Sequence, residues 1–166
     1  MIGLGGIGRA IADRAATFRM RVLYNATREK QDVPYTFVGN VVELARQSDF
    51  LMIACKGGPE TRHLVSRAVI DAVGPTGTLI NVARGSVLDE DAMIDALAHK
   101  RLGFAALDVF ASEPDFDRRL LDFPNVIVQP HHGTAAIETR TAMGKLMIDN
   151  IVAHFEKKPL LTPVAA

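Results

Sequence analysis

The chain has 166 residues, of which 48% are hydrophobic and 23% charged, enough for one well-packed domain and short for two. Its 19 basic and 19 acidic side chains cancel, so no electrostatic footprint marks a nucleic-acid or anionic-lipid partner. No apolar run approaches the ~18–20 residues that a membrane-spanning helix needs. The single cysteine, Cys55, excludes an intrachain disulfide and a multi-thiolate metal site, and it suits a reducing, cytoplasmic setting.

Short apolar runs alternate with amphipathic segments, which predicts an α/β domain with a mainly parallel, doubly wound sheet and helices on both faces. Residues 1–4 read as an abbreviated strand ended by glycines, and residues 7–18 carry helical apolar spacing through Ile7, Ala10, Ile11, Ala15 and Phe18. Residues 20–25 and 35–38 read as strands. Asn40-Val41-Val42-Glu43 then forms a capping box for a helix to Arg46. Residues 50–55 are continuously apolar, the pattern of a strand buried on both faces.

A helix is expected over 66–73, stopped by Gly74-Pro75, and a strand over 78–82. Residues 89–98 read as a helix whose acidic start, Asp89 to Asp91, suits a positive helix N-terminus. Strands follow at 104–107 and 126–128. The long connection between them, 108–125, is the kind that more often carries function than not. A closing helix is expected over 138–155, with Met143 and Met147 in its core, followed by a tail over 159–166. His63, His99 and His154 read as solvated side chains without partners close in sequence.

Gly3-Leu4-Gly5-Gly6-Ile7-Gly8 fits the G-x-G-x-x-G fingerprint between a strand and a helix. One glycine makes the turn, one lets the backbone approach a pyrophosphate, and one lets the helix pack on the strand. The helix start then offers its unpaired N–H groups to the phosphates, which makes Gly3, Gly5, Gly6, Ile7 and Gly8 a dinucleotide loop. The end of the second strand distinguishes NAD from NADP, because an acidic residue there usually bonds the ribose 2′-hydroxyl. Here the stretch is Tyr24-Asn25-Ala26-Thr27-Arg28, with no carboxylate before Glu29. Arg28 can pair with a 2′-phosphate through its planar donors, with Asn25 and Thr27 adding neutral hydrogen bonds. The expectation is a preference for NADP(H), with NAD(H) as the cofactor a merely solvated Arg28 would also admit.

At Asn81-Val82-Ala83-Arg84-Gly85, Leu107-Asp108-Val109-Phe110-Ala111-Ser112-Glu113-Pro114 and Pro130-His131-His132-Gly133-Thr134-Ala135, the chain resembles the D-isomer-specific 2-hydroxyacid dehydrogenases. The likeness is greatest to the group of glyoxylate, hydroxypyruvate and hydroxyphenylpyruvate reductases, and the order and spacing of the motifs match along essentially the whole chain. The resemblance implies a Rossmann-type domain that reduces a small 2-oxo acid to the D-2-hydroxy acid. It assigns the substrate carboxylate and 2-oxo group to Arg84, the proton to His131, and the support of His131 to Glu113. Asp108 would contact the nicotinamide carboxamide. Further cofactor contacts fall on Cys55, Thr61, Val82, Ala83 and Gly133.

These residue types suit the reaction. Charge that develops on a carbonyl oxygen during hydride addition needs a proton and a cation. A histidine near its ordinary pKa of about 6.5 can give and take that proton. The family places the catalytic histidine directly after the proline, which selects His131 over His132. Two departures stand out: Lys56-Gly57-Gly58-Pro59-Glu60-Thr61 replaces a more usual apolar-proline loop, and Ala135-Ala136 replaces a hydroxyl-bearing position.

The resemblance also implies a homodimer formed through the nucleotide-binding domain. It further implies a substrate domain of roughly a hundred residues ahead of this one, so the chain is expected to begin inside the first strand and to turn over little by itself. The competing readings are a non-catalytic NAD(P)-binding module that regulates or dimerises, and an inactive truncated product.

Overall fold

The computed structural model describes residues 1–164; the last two residues of the expected tail lie outside the described residues. The chain divides into two compact units, Met1–Pro130 and His131–Ala166.

The first unit is built on parallel strands. Strands β1 (Leu23–Tyr24) and β2 (Thr36–Phe37) pair with each other, and β3 (Phe50–Ile53), β4 (Thr78–Asn81), β5 (Phe104–Leu107) and β6 (Val126–Val128) form a second set in that order. Ile2 joins the two sets through parallel bridges to Asn25 and to Ile53. Its backbone N–H donates to Met52 O at 2.8 Å, and its carbonyl accepts from Ala54 N at 2.8 Å. The chain therefore runs outward from Ile2 to β1 and β2 on one side, then returns to continue through β3 to β6 on the other. That reversal is the switch point at which doubly wound sheets bind ligands.

Helices cover both faces. α2 (Val41–Arg46), α3 (Arg67–Val73) and α4 (Glu90–Ala98) bury Leu44, Val69, Ile70, Met93 and Leu97 against Leu51, Ile53, Leu79 and Leu107. α1 (Gly6–Thr17) lies on the opposite face, where Ala12 packs with Leu4 and Tyr24. α3 ends at Gly74, whose φ of 80° stops the helix. Asn40 accepts from Val42 N and Glu43 N, as its capping role requires. Glu43 turns its carboxylate to Arg46, however, so only half of the expected box forms.

Several expected features differ. β3 is buried on one face only. Phe50 is 52% exposed, as are Phe104 (55%) and Ile127 (62%) on the same side of the sheet. α1 covers part of that side, leaving a groove of about 540 Å³ lined by Ile11, Phe18, Met20, Phe50, Met52 and Ile80. The strand expected over 20–25 shrinks to Leu23–Tyr24, the length of the β2 beside it, while Asn25 bridges to Ile2 on the other side. His99 does have a partner close in sequence: its ring nitrogen lies 3.1 Å from the Asp95 carboxylate, one helical turn earlier.

The second unit is α5 (Ile137–Phe155) and its flanks. Thr162 folds back onto the helix, its N–H donating to Asn150 Oδ1 at 3.2 Å while Asn150 Nδ2 donates to Thr162 Oγ1 at 3.0 Å. Met143 and Met147 are not core residues: they are 53% and 61% exposed, and Ala153 is the buried residue of α5. Apolar side chains stand all around this helix rather than on one stripe, so helical spacing did not identify an inward face. Among the described residues, no helix is long and apolar enough to cross a membrane.

Candidate functional site

Strand register sets up the site. Ile2, Ile53, Asn81 and Leu107 lie in one row across neighbouring strands. The residues that follow them, Gly3, Ala54, Val82 and Asp108, therefore emerge together at the carboxyl edge of the sheet, at steps of about 4.8 Å.

Gly3 makes the first turn with φ of 89°, a conformation that side chains disfavour. A Cβ there would lie 2.5 Å from Cys55 Cα, so the glycine turn sits flush on the backbone that leaves β3. A Cβ at Gly8 would lie 2.3 Å from Gly3 O, which brings α1 against the turn. Gly5 and Gly6 are different. They are exposed, and a Cβ on either would meet nothing within 4 Å. Gly5 caps α1 without a side chain, and no acidic residue stands in the first turn. The first N–H groups of a helix have no partner within it, so a bare, positively biased backbone cradle is left open. Its shape and charge fit a pyrophosphate. Ile7, also in this turn, is exposed.

At the end of β1, the buried Tyr24 ring packs on Phe37 with centroids 5.4 Å apart, and its hydroxyl accepts from Lys30 N at 2.7 Å. That bond closes the 24–30 segment into a loop with Thr27 and Arg28 exposed on it. Asn25 plays another part than expected. Its side-chain amide donates to Val38 O at 2.9 Å and to Gly39 O at 3.0 Å, tying the ends of β1 and β2 together. With both donors engaged, Asn25 braces the loop and leaves phosphate donation to its neighbours. Arg9 is bound in a bidentate pair to Asp32, with its Nη2 2.7 and 2.8 Å from the two carboxylate oxygens. That pairing holds the Asp32 carboxyl below the usual range.

After β3, Cys55 is half-buried, and burial pushes its thiol pKa up, so it remains a neutral thiol. Thr61 Oγ1 donates to Lys56 O at 2.9 Å and also lies 3.2 Å from Gly58 O, closing the 56–61 loop on itself.

The turn after β4 carries Val82, Ala83 and Arg84. Its organiser is Asn81, a fully buried polar residue whose Oδ1 accepts from Ala83 N at 3.0 Å and whose Nδ2 donates to Arg84 O at 3.1 Å. Sequence reading gave Asn81 no task. The signal was there, since a polar residue follows the apolar Leu79 and Ile80 at an inward position of the strand. Arg84 is exposed, with Nη1 donating to Ala83 O at 2.6 Å. Gly85 packs directly on the next loop, because a Cβ there would overlap Phe110 O at 1.8 Å.

Asp108 follows β5, its N–H donating to Asn81 O at 3.0 Å. In the loop beyond, Glu113 Oε1 accepts from Phe110 N at 3.0 Å, and Phe110 stacks on Phe116 at 4.9 Å. Glu90 of α4 accepts from Ala111 N at 3.0 Å. Burial raises the Glu90 carboxyl, and that hydrogen bond partly offsets it. The first unit thus gathers the glycine turn, Arg28, Cys55, Thr61, Arg84, Asp108 and Glu113 on elements that leave the carboxyl edge. His131, with φ of 54°, and Gly133 belong to the second unit, both exposed at the approach to α5. Ala136 stands at the cap of α5 without a side-chain bond.

Comparison with known proteins is decisive. The family described as D-isomer specific 2-hydroxyacid dehydrogenase, NAD binding domain, matches residues 1–133. The chain belongs to this family. Among relatives of the dehydrogenase domain, a hydroxyphenylpyruvate reductase from Plectranthus scutellarioides is 48% identical over 164 residues, covering 99% of this chain and 52% of that protein. A 2-ketogluconate reductase from Gluconobacter oxydans is 42% identical over 162 residues, with 98% and 52% coverage. The solved NADPH-dependent glyoxylate/hydroxypyruvate reductase from Sinorhizobium meliloti, in complex with NADP and malonate, superposes with a TM-score of 0.96 at 40% identity. It is matched over 99% of this chain and 51% of its own. A 2-hydroxyacid dehydrogenase from Ketogulonicigenium vulgare gives 0.92 at 53% identity. This 2-hydroxyacid dehydrogenase domain therefore spans about half the length of the relatives it matches.

Proposed function

We propose that this domain is the cofactor-binding half of an NADPH-dependent reductase that converts a small 2-oxo acid, such as glyoxylate or hydroxypyruvate, to the D-2-hydroxy acid. The observation that carries the reading is the bare cradle at Gly5 and Gly6 beside a loop whose exposed side chains, Thr27 and Arg28, hold no carboxylate. An acid at that loop would repel a 2′-phosphate, whereas Arg28 pairs with it. The NADP in the Sinorhizobium relative supports the same choice. NAD(H) is the weaker alternative, since it lacks the group that Arg28 grips.

The dinucleotide, when bound, supplies the hydride. Arg84 holds the carboxylate of the 2-oxo acid and draws negative charge toward the carbonyl oxygen, a task for which its planar donors are suited. His131 gives a proton to that oxygen during reduction and takes it back during oxidation. Glu113, anchored by Phe110 N–H at 3.0 Å, is the supporting carboxylate in this reading. Asp108 is assigned to the nicotinamide carboxamide, and Cys55, Val82, Ala83 and Thr61 to the walls of the cofactor site.

The domain also forms a homodimer in this proposal and works in the cytoplasm, where a lone half-buried thiol stays reduced. Titration of NADPH fluorescence tests the reading, with glyoxylate- and hydroxypyruvate-dependent loss of NADPH absorbance measured in parallel. Saturable binding that weakens in Arg28→Ala is the expected result. A domain that ignores both nucleotides sinks it. Sedimentation equilibrium measures the dimer.

A further inference from the structure

Gly57, in the loop that leaves β3, touches Arg84 through the arginine stem. A Cβ at position 57 would stand 2.6 Å from Arg84 Cγ and 3.0 Å from Arg84 Cβ. Those distances lie well inside the ~3.5–4.0 Å at which carbon atoms rest against each other. The atoms met are the root of the side chain, which cannot swing aside as a tip can.

The backbone on each side of this contact is tied down. On one side, Thr61 Oγ1 closes the 56–61 loop through the Lys56 and Gly58 carbonyls. On the other, Asn81 bonds both Ala83 N and Arg84 O, and Gly85 is packed on Phe110. An added methyl would therefore be relieved by rotating Arg84 about its own bonds, which moves the guanidinium. The neighbouring glycine makes the contrast. The nearest atoms to a Cβ at Gly58 would be those of the Glu60 carboxylate, at 2.7 and 2.8 Å, the far end of an exposed side chain that turns away at little cost.

We propose that Gly57 is a positioning residue: its missing side chain seats the stem of Arg84 and so sets the direction in which the guanidinium grips a 2-oxo carboxylate. The inference rests on the reading of Arg84 given above and names how that group is aimed. Fork-to-carboxylate bonding depends on direction as well as distance, and a misplacement of about 1 Å in such a group costs roughly 100-fold.

The test compares Gly57→Ala, Gly58→Ala and Arg84→Lys in the full chain loaded with NADPH, with oxalate as the planar dicarboxylate probe. Three quantities are read: the oxalate dissociation constant, the NADPH dissociation constant, and the side-chain Nε–H NMR signal of Arg84, assigned by its loss in Arg84→Lys. Gly57→Ala is expected to move that signal and to weaken oxalate about 10- to 100-fold, with NADPH affinity retained; Gly58→Ala leaves all three as in the parent. An unmoved Arg84 signal, an unchanged oxalate affinity, or an equal effect from Gly58→Ala overturns the proposal. Oxalate that binds Arg84→Lys as well as the parent, or does not bind the parent, removes the role of Arg84 itself and the present inference with it. If Gly57→Ala does not fold, the double variant Gly57→Ala/Arg84→Gly decides, because deleting the whole side chain removes the overlaps with both Cγ and Cβ. Restored folding supports the seat, and a double variant that stays unfolded overturns it.

Discussion

The carbonyl oxygen of Gly3 lies where Gly8 would carry a side chain: a Cβ at residue 8 would be 2.3 Å from it. The first turn of α1 and the glycine turn after Ile2 approach each other at backbone level, so helix packing and cofactor binding depend on the same spacing. Gly8→Ala is expected to cost about 1–3 kcal/mol, as overpacking does, and to weaken NADPH binding with it. Gly6→Ala separates the two effects, since its methyl enters open space above the cradle. Stability should stay within about 0.5 kcal/mol while NADPH binding falls. Urea denaturation and nucleotide fluorescence measure the pair.

Arg28 is the cation available to a 2′-phosphate at the end of β1, since the Asn25 amide is already engaged by Val38 and Gly39. Arg28→Ala should weaken NADPH by roughly 10- to 100-fold, the equivalent of one charge-assisted hydrogen bond of about 1.5–3 kcal/mol. NADH binding should hardly change. Equal losses for both nucleotides would show that Arg28 does not read the phosphate.

Asn81 braces the Arg84 turn from inside the core. Asn81→Leu keeps the branched shape but strands Ala83 N–H without its partner, which is expected to cost about 1–3 kcal/mol. Thermal melts check the stability. The Arg84 side-chain NMR signal should broaden even in the folded fraction, because the turn loses the bonds on both of its ends.

A carboxylate network joins α3 to α4. Asp95 accepts from Arg67 at 2.5 Å and from Arg101 at 2.5 Å, and the bond from Arg67 foremost holds its carboxyl below the ordinary range. A lowered folded-state pKa means that the stabilisation is complete above the unfolded value of about 3.9 and is lost as pH falls through the folded one. Asp95→Asn should therefore melt below the parent at neutral pH, with the gap closing in acid. A gap that persists unchanged at pH values under about 3 would assign the effect to packing.

Much of this was legible in the residues, and the exceptions share a cause. Strands β5 and β6 appear where short apolar runs between turn residues placed them. The cap at Asn40 and the stop at Gly74 follow from local chemistry that needs no distant partner. What sequence could not supply was the identity of the neighbour across space. Phe50 looked inward because its run is apolar, yet its side of the sheet is only partly covered. Asn25 looked like a phosphate ligand, yet the carbonyls of residues 38 and 39 take its donors. Gly57 looked like a mere departure from a motif until the stem of Arg84 was found lying on it.

The overlap that any side chain at Gly85 would make with Phe110 has a further meaning for engineers. The loop bearing Arg84 and the loop bearing Glu113 are cut to one another's outline, like adjoining pieces of a mosaic. Swapping either one alone from a distant cousin will import a mismatched seam, so chimaeras that aim at new 2-oxo acids should transplant both together.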